Sequence, residues 1–456
     1  MSNKKTIFLI PLLIFIPNIY SNFLVFDFGN NHLEIEQKSE LKSSQKTSSN
    51  NGFIVSHNYK LFWFIHISDT QFIWYNNSKI SEFYQFLNET NKEISPLFIY
   101  HTGDIVQADF SFGQDKIEWE RYKNALFENN INASNYMDVI GNHDAIRDPN
   151  SIYFLNYSIM GQFFNTTQYS FNKSFTFGNY AFIGLNTAKS SYTLLEYSFQ
   201  GFLSSNELDW YEKELEKYKD FDKIFVFGHH PPSYPLFYHI KSENSSSGKD
   251  FNELNDEYNV PFYFSGHVHE NSVRYFNELL TITTANFDKE GGTYRIIALD
   301  NNRLSTSIEY VGRWPQGIIT HPQSESNQRI DKIRVLAWDP QGISSIKWSI
   351  NDIEKELQIT DWKPLINVNS NEPLWEGDLA FHSKGKYKLK VKVEGGSGEV
   401  IKEIILNLKS EWELTVFIIF TFIIITLIST SIITFNYLRI YIEKPKKIKK
   451  RHIDLA

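Results

Sequence analysis

Five short polar segments occur in one order along this chain: Asp69-Thr70-Gln71, Gly103-Asp104, Gly141-Asn142-His143-Asp144, Gly228-His229-His230-Pro231 and Gly266-His267-Val268-His269. Most of them follow a run of strand-forming residues, as Asp69 follows Leu61 to Ser68 and Asp104 follows Leu97 to Thr102. That puts their side chains at the C-terminal ends of strands, where α/β sheets gather ligands. Asp69 and Asp104 are 35 residues apart, Asp104 and Asn142 are 38 apart, and His229 and His267 are 38 apart. Each interval is long enough for one strand-helix-strand unit, so one polar group per crossover is expected. From about Phe53 to Val311 the pattern is that of an α/β layered domain.

Asp, Asn and His supply the oxygen and imidazole donors that suit Zn, Mn or Fe, and a pair of ions needs one carboxylate able to bridge them. A lone Gly-Asp or Gly-His pair is usually a turn or a satisfied surface group. Five in order, ending with two histidines one residue apart after Phe262-Tyr263-Phe264, outweigh that reading. Among the other histidines, His66 and His101 sit inside strand patterns and are expected to be packed, while His239 and His321 are ordinary. The many aromatic side chains are expected in the core.

These motifs resemble the calcineurin-like metallophosphoesterase superfamily, whose pattern is D-x-H, G-D, G-N-H-D or E, G-H and G-H-x-H. The resemblance implies a layered calcineurin-like phosphoesterase sandwich that hydrolyses a phosphate ester by attack of a hydroxide bridging two metal ions, Zn, Mn or Fe. Carried over by position, it gives Asp69 and His269 to the first metal, with Asp104 bridging. Asn142, His229 and His267 fall to the second metal, and His143 is the unligated acid facing the substrate oxygen. Asp144 orients the loop, and His229 rather than His230 is the ligand because the family reads G-H-x-P. Gln71 stands where the family has a second His. Its carbonyl oxygen can ligate a hard cation, more weakly than imidazole does. Gln71 also keeps a second reading alive, in which a degenerate phosphoesterase fold binds a protein partner through the following β module.

Outside the site, Glu118-Trp119 with Tyr122, Phe177-Gly178-Asn179-Tyr180, Tyr294-Arg295-Ile296, Trp314-Pro315 with Ile319-Thr320, and Ile333 to Ala337 resemble the transmembrane protein 62 family. This resemblance covers roughly residues 60 to 410 and implies a membrane-bound ectodomain with a following β domain. Members carry several C-terminal spans, whereas this chain shows one.

At 456 residues the chain is too long for one ordinary core. Residues 1–21 read as a signal peptide, with Lys4 and Lys5 before an apolar run from Ile7 to Ile19. Residues 22–56 read as a linker, rich in Ser, Lys and Asn from Gln37 to Asn51. The phosphoesterase-like domain is expected over 57–312, and a small β-sandwich of immunoglobulin-like size, without a Cys pair, over 325–410. Two local signals are legible: a capping box at Ser204 and Glu207 before Leu208 to Tyr218, and a hairpin in Phe175 to Leu185 turning at Gly178-Asn179.

Leu414 to Leu438 holds 25 residues without a charge, more than the ~20 a helix needs to cross ~30 Å of hydrocarbon. A transmembrane helix is expected there. Residues 439–456 carry seven Lys or Arg against Glu443 and Asp454, the mark of a cytoplasmic tail that can touch anionic lipid. The ectodomain is then lumenal or extracellular. The tail holds +5 and Lys4 with Lys5 hold +2 of a formal net charge of −8, which leaves about −15 for the residues between. Such a charge argues against nucleic acid as a partner and not against a small phosphate ester. The chain has no cysteine, so disulfides say nothing of the compartment. Glycan acceptor triplets begin at Asn76, Asn88, Asn132, Asn156, Asn165, Asn172 and Asn244.

Overall fold

The computed structural model describes residues 52–56, 59–73, 75–192, 199–235, 238–323, 330–381, 385–408 and 411–442. The expected signal peptide, most of the expected linker and the tail from residue 443 lie outside the described residues. Strands β1 (Phe53–Ser56) and β2 (Tyr59–Ile67) come first, then α1 (Asn77–Glu89), β3 (Ile99–His101), α2 (Lys116–Glu128) and β4 (Tyr136–Asp138). Helices α3 (Ile152–Tyr157) and α4 (Ile159–Phe164) lead to β5 (Tyr169–Phe175) and β6 (Gly178–Gly184). After them run β7 (Gly201–Leu203), α5 (Ser205–Tyr218), β8 (Lys223–Phe227), β9 (Ile240–Ser242), α6 (Phe251–Glu257) and β10 (Phe262–Ser265). The layered domain closes with β11 (Ser272–Phe276), β12 (Leu279–Thr283), β13 (Thr293–Asp300) and β14 (Arg303–Tyr310).

Two sheets result. One has the order β14-β13-β2-β3-β4 with β1 paired to β2, and β2, β3 and β4 run parallel. The other has the order β11-β12-β10-β8-β6-β5, with β12, β10, β8 and β6 parallel. Strand β2 shows why the sheets stack. Leu61 to Ile67 are all buried, as in a strand covered on both faces. Phe62 and Phe64 point into an aromatic core shared with Phe182, Phe225, Phe227 and Phe264 of the other sheet. Trp63 and Ile65, on the alternate face, lie under Phe83 and Phe86 of α1 and Trp119 and Tyr122 of α2. Helices α5 and α6 cover the second sheet's outer face through Leu208, Tyr211, Leu215 and Leu254. The layers therefore run helix, sheet, sheet, helix. Ring pairs such as Phe64–Phe98 at 5.0 Å and Phe227–Phe264 at 4.7 Å each add ~0.5–1.5 kcal/mol beyond area burial.

Two of the expected local features need adjustment, and the capping box stands as expected. Residues 53–56, placed at the end of the linker, form β1 and pair with β2. The hairpin exists, but its register pairs Phe175 with Gly178, so the turn is Thr176-Phe177 and the first strand lies upstream. Helix α5 begins at Ser205, with Glu207 accepting from Ser204 N and Oγ at 2.7 Å each.

The second module starts earlier than expected, at β15 (Gln316–His321), which pairs antiparallel with β16 (Ile330–Trp338). Then follow β17 (Ile343–Asp352), the short β18 (Leu357–Gln358), β19 (Lys363–Pro364) and β20 (Ile366–Asn367), β21 (Leu374–Phe381), β22 (Gly385–Gly395) and β23 (Gly398–Leu408). They make sheets of order β15-β16-β21-β20 and β18-β17-β22-β23, over one core that includes Ile333, Val335, Trp348, Leu389 and Val391. In β22 buried residues alternate with half-buried ones, the period-2 signature. The modules are joined by buried polar contacts: Arg334 donates to Asp300 through Nε at 2.8 Å and through a terminal nitrogen at 3.1 Å, and Thr320 Oγ1 donates to Asp300 at 2.9 Å. Trp63 of β2 packs on Trp338 of β16, with ring centroids 5.8 Å apart.

Helix α7 (Glu411–Ile442) ends the described chain. Among the described residues no helix is long and apolar enough to cross a membrane. Side chains of α7 are described only from 419 to 435, about 26 Å of helix at 1.5 Å per residue against ~30 Å of hydrocarbon. Of the glycan acceptor asparagines, Asn88, Asn132, Asn156, Asn165, Asn172 and Asn244 are exposed and Asn76 is half-buried.

Candidate metal centre

The polar motifs leave the ends of parallel strands in both sheets. Asp69 follows β2, Asp104 follows β3 and Asn142 follows β4; His229 follows β8, and His267 and His269 follow β10. Asp69, Asp104, His267 and His269 have φ of 53°, 54°, 69° and 54°. This left-handed region is sparsely used by residues with a side chain and concentrates at functional sites. The turns fold each side chain back toward one point between the sheets. The glycines beside them make room. Gly103 has φ +90°, and a Cβ there would lie 2.7 Å from Gly141 N and 3.0 Å from His229 Nδ1. A Cβ on Gly266 would collide with Ser68 Oγ and Asp69 Oδ2.

Asp104 is buried at the centre. Its Oδ1 accepts from His143 N at 2.8 Å, and its Oδ2 faces His229 Nε2 at 3.3 Å and His143 Nε2 at 3.9 Å. His229 Nδ1 donates to Thr102 O at 2.7 Å, which turns Nε2 toward Asp104 and, at 2.9 Å, toward Asn142 Oδ1. Asp69 accepts from His267 N at 3.1 Å and pairs with His269 Nε2 at 3.2 Å. His267 Nε2 is held by Phe199 O at 3.1 Å. Gln71 is at the site too, with Nε2 donating to Asp104 Oδ2 at 3.5 Å. Ligand atoms of Asp69, Asp104 and His229 all lie within 4.8 Å of one another, as do those of His229, His230 and His267.

Electrostatics follow from burial and convergence. Burial pushes the Asp104 carboxyl up, but His229 and His143 outweigh it and hold the group well below the usual range. Asp69 is likewise below its ordinary value: burial opposes this, and the His269 hydrogen bond and the His229 charge prevail. Burial would lower His229, yet Asp104 raises it to about 9. His267 is lowered to about 4 by burial and then by the His229 charge. His269 is raised, first by its hydrogen bond to Asp69. Both carboxylates thus have only imidazoles as ion-pair partners among the described residues. Two fully buried anions with O and N donors around them and no Lys or Arg beside them fit a divalent cation by charge and by donor type.

His143 is held from three sides. Its N donates to Asp104, its Nδ1 pairs with Gln107 O, and its carbonyl accepts from Gln114 Nε2 at 2.9 Å. Asp144 accepts from the backbone N–H of Ile105, Val106 and Gly141 at 2.9, 3.1 and 2.8 Å, which ties the β3 and β4 loops together. Burial, then Asp104, pushes its pKa up to about 8. His66 and His101 are packed as expected: His66 bonds Thr102 and Thr284 hydroxyls, and His101 bonds Thr70 Oγ1 and accepts from Gly103 N.

Three neighbours were not singled out from the sequence as part of the site, and a fourth, His230, was weighed there only as the alternative to His229. His230 is buried, bonded through Nδ1 to Thr187 Oγ1 at 3.0 Å, with its ring 4.4 Å from that of His267. Phe199, Tyr234 and Tyr238 line a cavity of about 380 Å³ whose floor is Gln71, Asp104, Asn142, His143, His267 and His269. Tyr234 and Tyr238 follow closely on Gly228-His229-His230-Pro231, which is a usable signal. Phe199 lies 30 positions before His229 and has none.

The sequence model of the family "Calcineurin-like phosphoesterase" matches residues 62–271. The chain is 24% identical over 427 residues to Transmembrane protein 62 of Mus musculus, which covers 83% of this chain and 62% of that protein. It is 33% identical over 133 residues to the probable glycerophosphodiester phosphodiesterase GpdQ of Arcobacter nitrofigilis, covering 26% of this chain and 46% of that one. It thus spans under two thirds of either relative's length. Among solved structures it is similar to GAP50, the anchor in the inner membrane complex of Plasmodium, at 16% identity and a TM-score of 0.38, over 56% of this chain and 85% of that one. The matched segment from 62 to 271 carries all five motifs, so the likeness to the calcineurin-like phosphoesterase family rests on the residues of this centre.

Proposed function

We propose that this protein is a membrane-anchored, metal-dependent phosphoesterase that hydrolyses a phosphate ester at the centre between the two sheets. The observation that carries the reading is the meeting of Asp69, Asp104 and His229 within 4.8 Å from strands of both sheets. Asp69 and His269 would hold one metal, Asn142, His229 and His267 a second, with Asp104 shared. Gln71 is a weak additional donor to the first. Bound there, Zn, Mn or Fe would supply a water of lowered pKa and neutralise phosphate charge. The chain's own groups do the rest. Gln107 and Gln114 fix the His143 ring and loop, so that Nε2 faces the cavity as the acid for the leaving oxygen. The two carboxylates orient the histidines through their ion pairs.

The anchor is α7. Its described side chains, from Ile419 to Phe435, carry no charge and are exposed except for the half-buried Thr421. The hydroxyls of Thr426, Ser429, Thr430, Ser431 and Thr434 each bond a carbonyl four residues earlier, as a helix in lipid requires. The basic tail puts the C-terminus in the cytoplasm and the phosphoesterase domain and the immunoglobulin-like β module on the lumenal or extracellular side.

A second reading has its own observation. The Gln71 amide donates to Asp104 and His269 pairs with Asp69, so side chains of the first site engage one another. In that reading the fold is a scaffold that binds a protein partner through the β module. The test is metal content and aryl phosphate turnover of purified wild type, Asp104→Asn and His143→Ala. Asp104→Asn should lose metal and activity while staying folded. His143→Ala should keep its metal and lose ~10² to 10⁴-fold in rate. Wild-type turnover in Asp104→Asn sinks the shared-carboxylate assignment, and metal loss in His143→Ala makes His143 a ligand. A wild type that binds no metal favours the scaffold.

A further inference from the structure

Beyond its polar floor, the cavity has an aromatic side that the hydrolytic reading does not use. Phe199 and Tyr238 have ring centroids 5.7 Å apart, Tyr238 and Tyr234 are 6.3 Å apart, and Tyr238 is 5.6 Å from the His267 ring. The three rings form a stepped aromatic shelf that starts at a metal-ligand candidate, with Phe199 inclined 58° and Tyr234 83° to Tyr238. It is not closed core: Phe199 is 41% exposed, and Tyr234 and Tyr238 are half-buried. Tyr234 is fixed by its hydroxyl donating to Glu270 at 2.9 Å. A shelf of preset rings beside a reaction centre gains most from a flat partner that can stack or meet it edge to face.

The charge around the shelf limits how many phosphates can sit there. No Lys or Arg is among the described residues lining the cavity. The sequence from Tyr192 to Gln200 and from Pro231 to Ile240, which carries the three rings, contains none either. Arg274 lies against the Tyr234 ring, 6.0 Å from its centroid, and is not a lining residue. The one carboxylate among the described lining residues is Asp104, so an anionic oxygen beyond the reach of the metals would meet no lining Lys or Arg, with Arg274 only at the outer, Tyr234 end. Enzymes that take di- or triphosphates supply such cations from Lys and Arg. A monoester carries one more charge at neutral pH than a diester does.

We propose that the centre takes a monoanionic phosphodiester, one ester arm of which carries a flat ring packed against the Phe199–Tyr234–Tyr238 shelf, face-on to one ring and edge-on to its neighbour. The proposal rests on the phosphoesterase reading above and narrows its substrate. No step is added to the hydrolysis: water displaces one alkoxide or aryloxide from phosphorus, and the proton returns to the leaving oxygen.

The experiment uses the full chain in detergent, supplied with Mn²⁺, and compares kcat/KM for bis(4-nitrophenyl) phosphate, 4-nitrophenyl phosphate and methyl glyceryl phosphate. The wild type should prefer the aryl diester to the aryl monoester by at least about 10-fold. Phe199→Ala with Tyr238→Ala should lower the ratio of aryl to glyceryl diester kcat/KM by about 10-fold, mainly through KM. Tyr238→Phe, which keeps the ring, should restore most of that ratio. Preference for the monoester overturns the charge argument, and an unchanged aryl to glyceryl ratio in the alanine variant overturns the shelf. If the wild type hydrolyses none of the three esters and binds no Mn²⁺, the phosphoesterase reading fails and this proposal fails with it.

Discussion

At the scale of the residue, Gln71 bears most on whether the proposed centre holds one metal or two. It lies beside Asp104 and is nearly buried, so an imidazole placed there would face the same carboxylate. We expect Gln71→His to raise metal occupancy toward two per chain and to increase turnover, because imidazole is the better donor to Zn, Mn or Fe. Metal analysis and rate on an aryl ester check this together. If content and rate both stay at the wild-type level, Gln71 is already an adequate donor. The ligand-type residues were legible because Asp, Asn and His stood next to Gly at strand ends, and the structure explains the Gly: Gly103 and Gly266 sit where a Cβ has no room. His230 was legible only as the alternative to His229 as a ligand. G-H-H-P offers two histidines, and the fold brings both near His267. Phe199 was invisible, since its place at the cavity depends on tertiary packing alone.

At the scale of the element, the crossovers were readable and the edges were not. The intervals of 35, 38 and 38 residues correspond to β2-α1-β3, β3-α2-β4 and β8-α6-β10. Strand β1 was assigned to linker because four residues carry too little period-2 signal, and only its pairing with β2 makes it a strand. The hairpin turn was misplaced by the pull of Gly178-Asn179, whereas the register sets Thr176-Phe177 as the turn. Strand β2 carries a consequence for stability. His66 is buried between the Thr102 and Thr284 hydroxyls, and burial, then Arg295 and His101, holds its pKa well below 6.5. A depressed folded-state pKa gives stability that is complete above the unfolded value of ~6.5 and drains away as pH falls below it, by up to ~1.4 kcal/mol per pH unit. Melting temperature should therefore drop between pH 6.5 and 5, and His66→Gln should show a shallower drop. Parallel pH profiles for the two proteins would mean that His66 is not a source of the loss.

At the scale of the whole molecule, the two modules share more than a tether: Asp300, Arg334 and Thr320 form a buried polar joint, and Trp63 meets Trp338. The phosphoesterase domain and the β module should therefore lie on one side of the bilayer together. In sealed vesicles, an epitope placed after Ala456 should be digested by added protease while the Asn132 region survives. Protection of both ends would require a second crossing. The convergence of the motifs has a further effect on the fold itself. Asp69, Asp104 and Asn142 come from one sheet, while His229, His267 and His269 come from the other. An ion held between them is a rivet through the interior, bound by the native state and not by the open chain. Linkage then makes stability a function of free metal, worth ~2.7 kcal/mol for one ion at a hundred times its dissociation constant. At ~2–4 °C per kcal/mol for a domain of this size, a chelator should lower the melting temperature by roughly 5–10 °C. An identical melt with and without chelator would show that the aromatic layer alone keeps the sheets together.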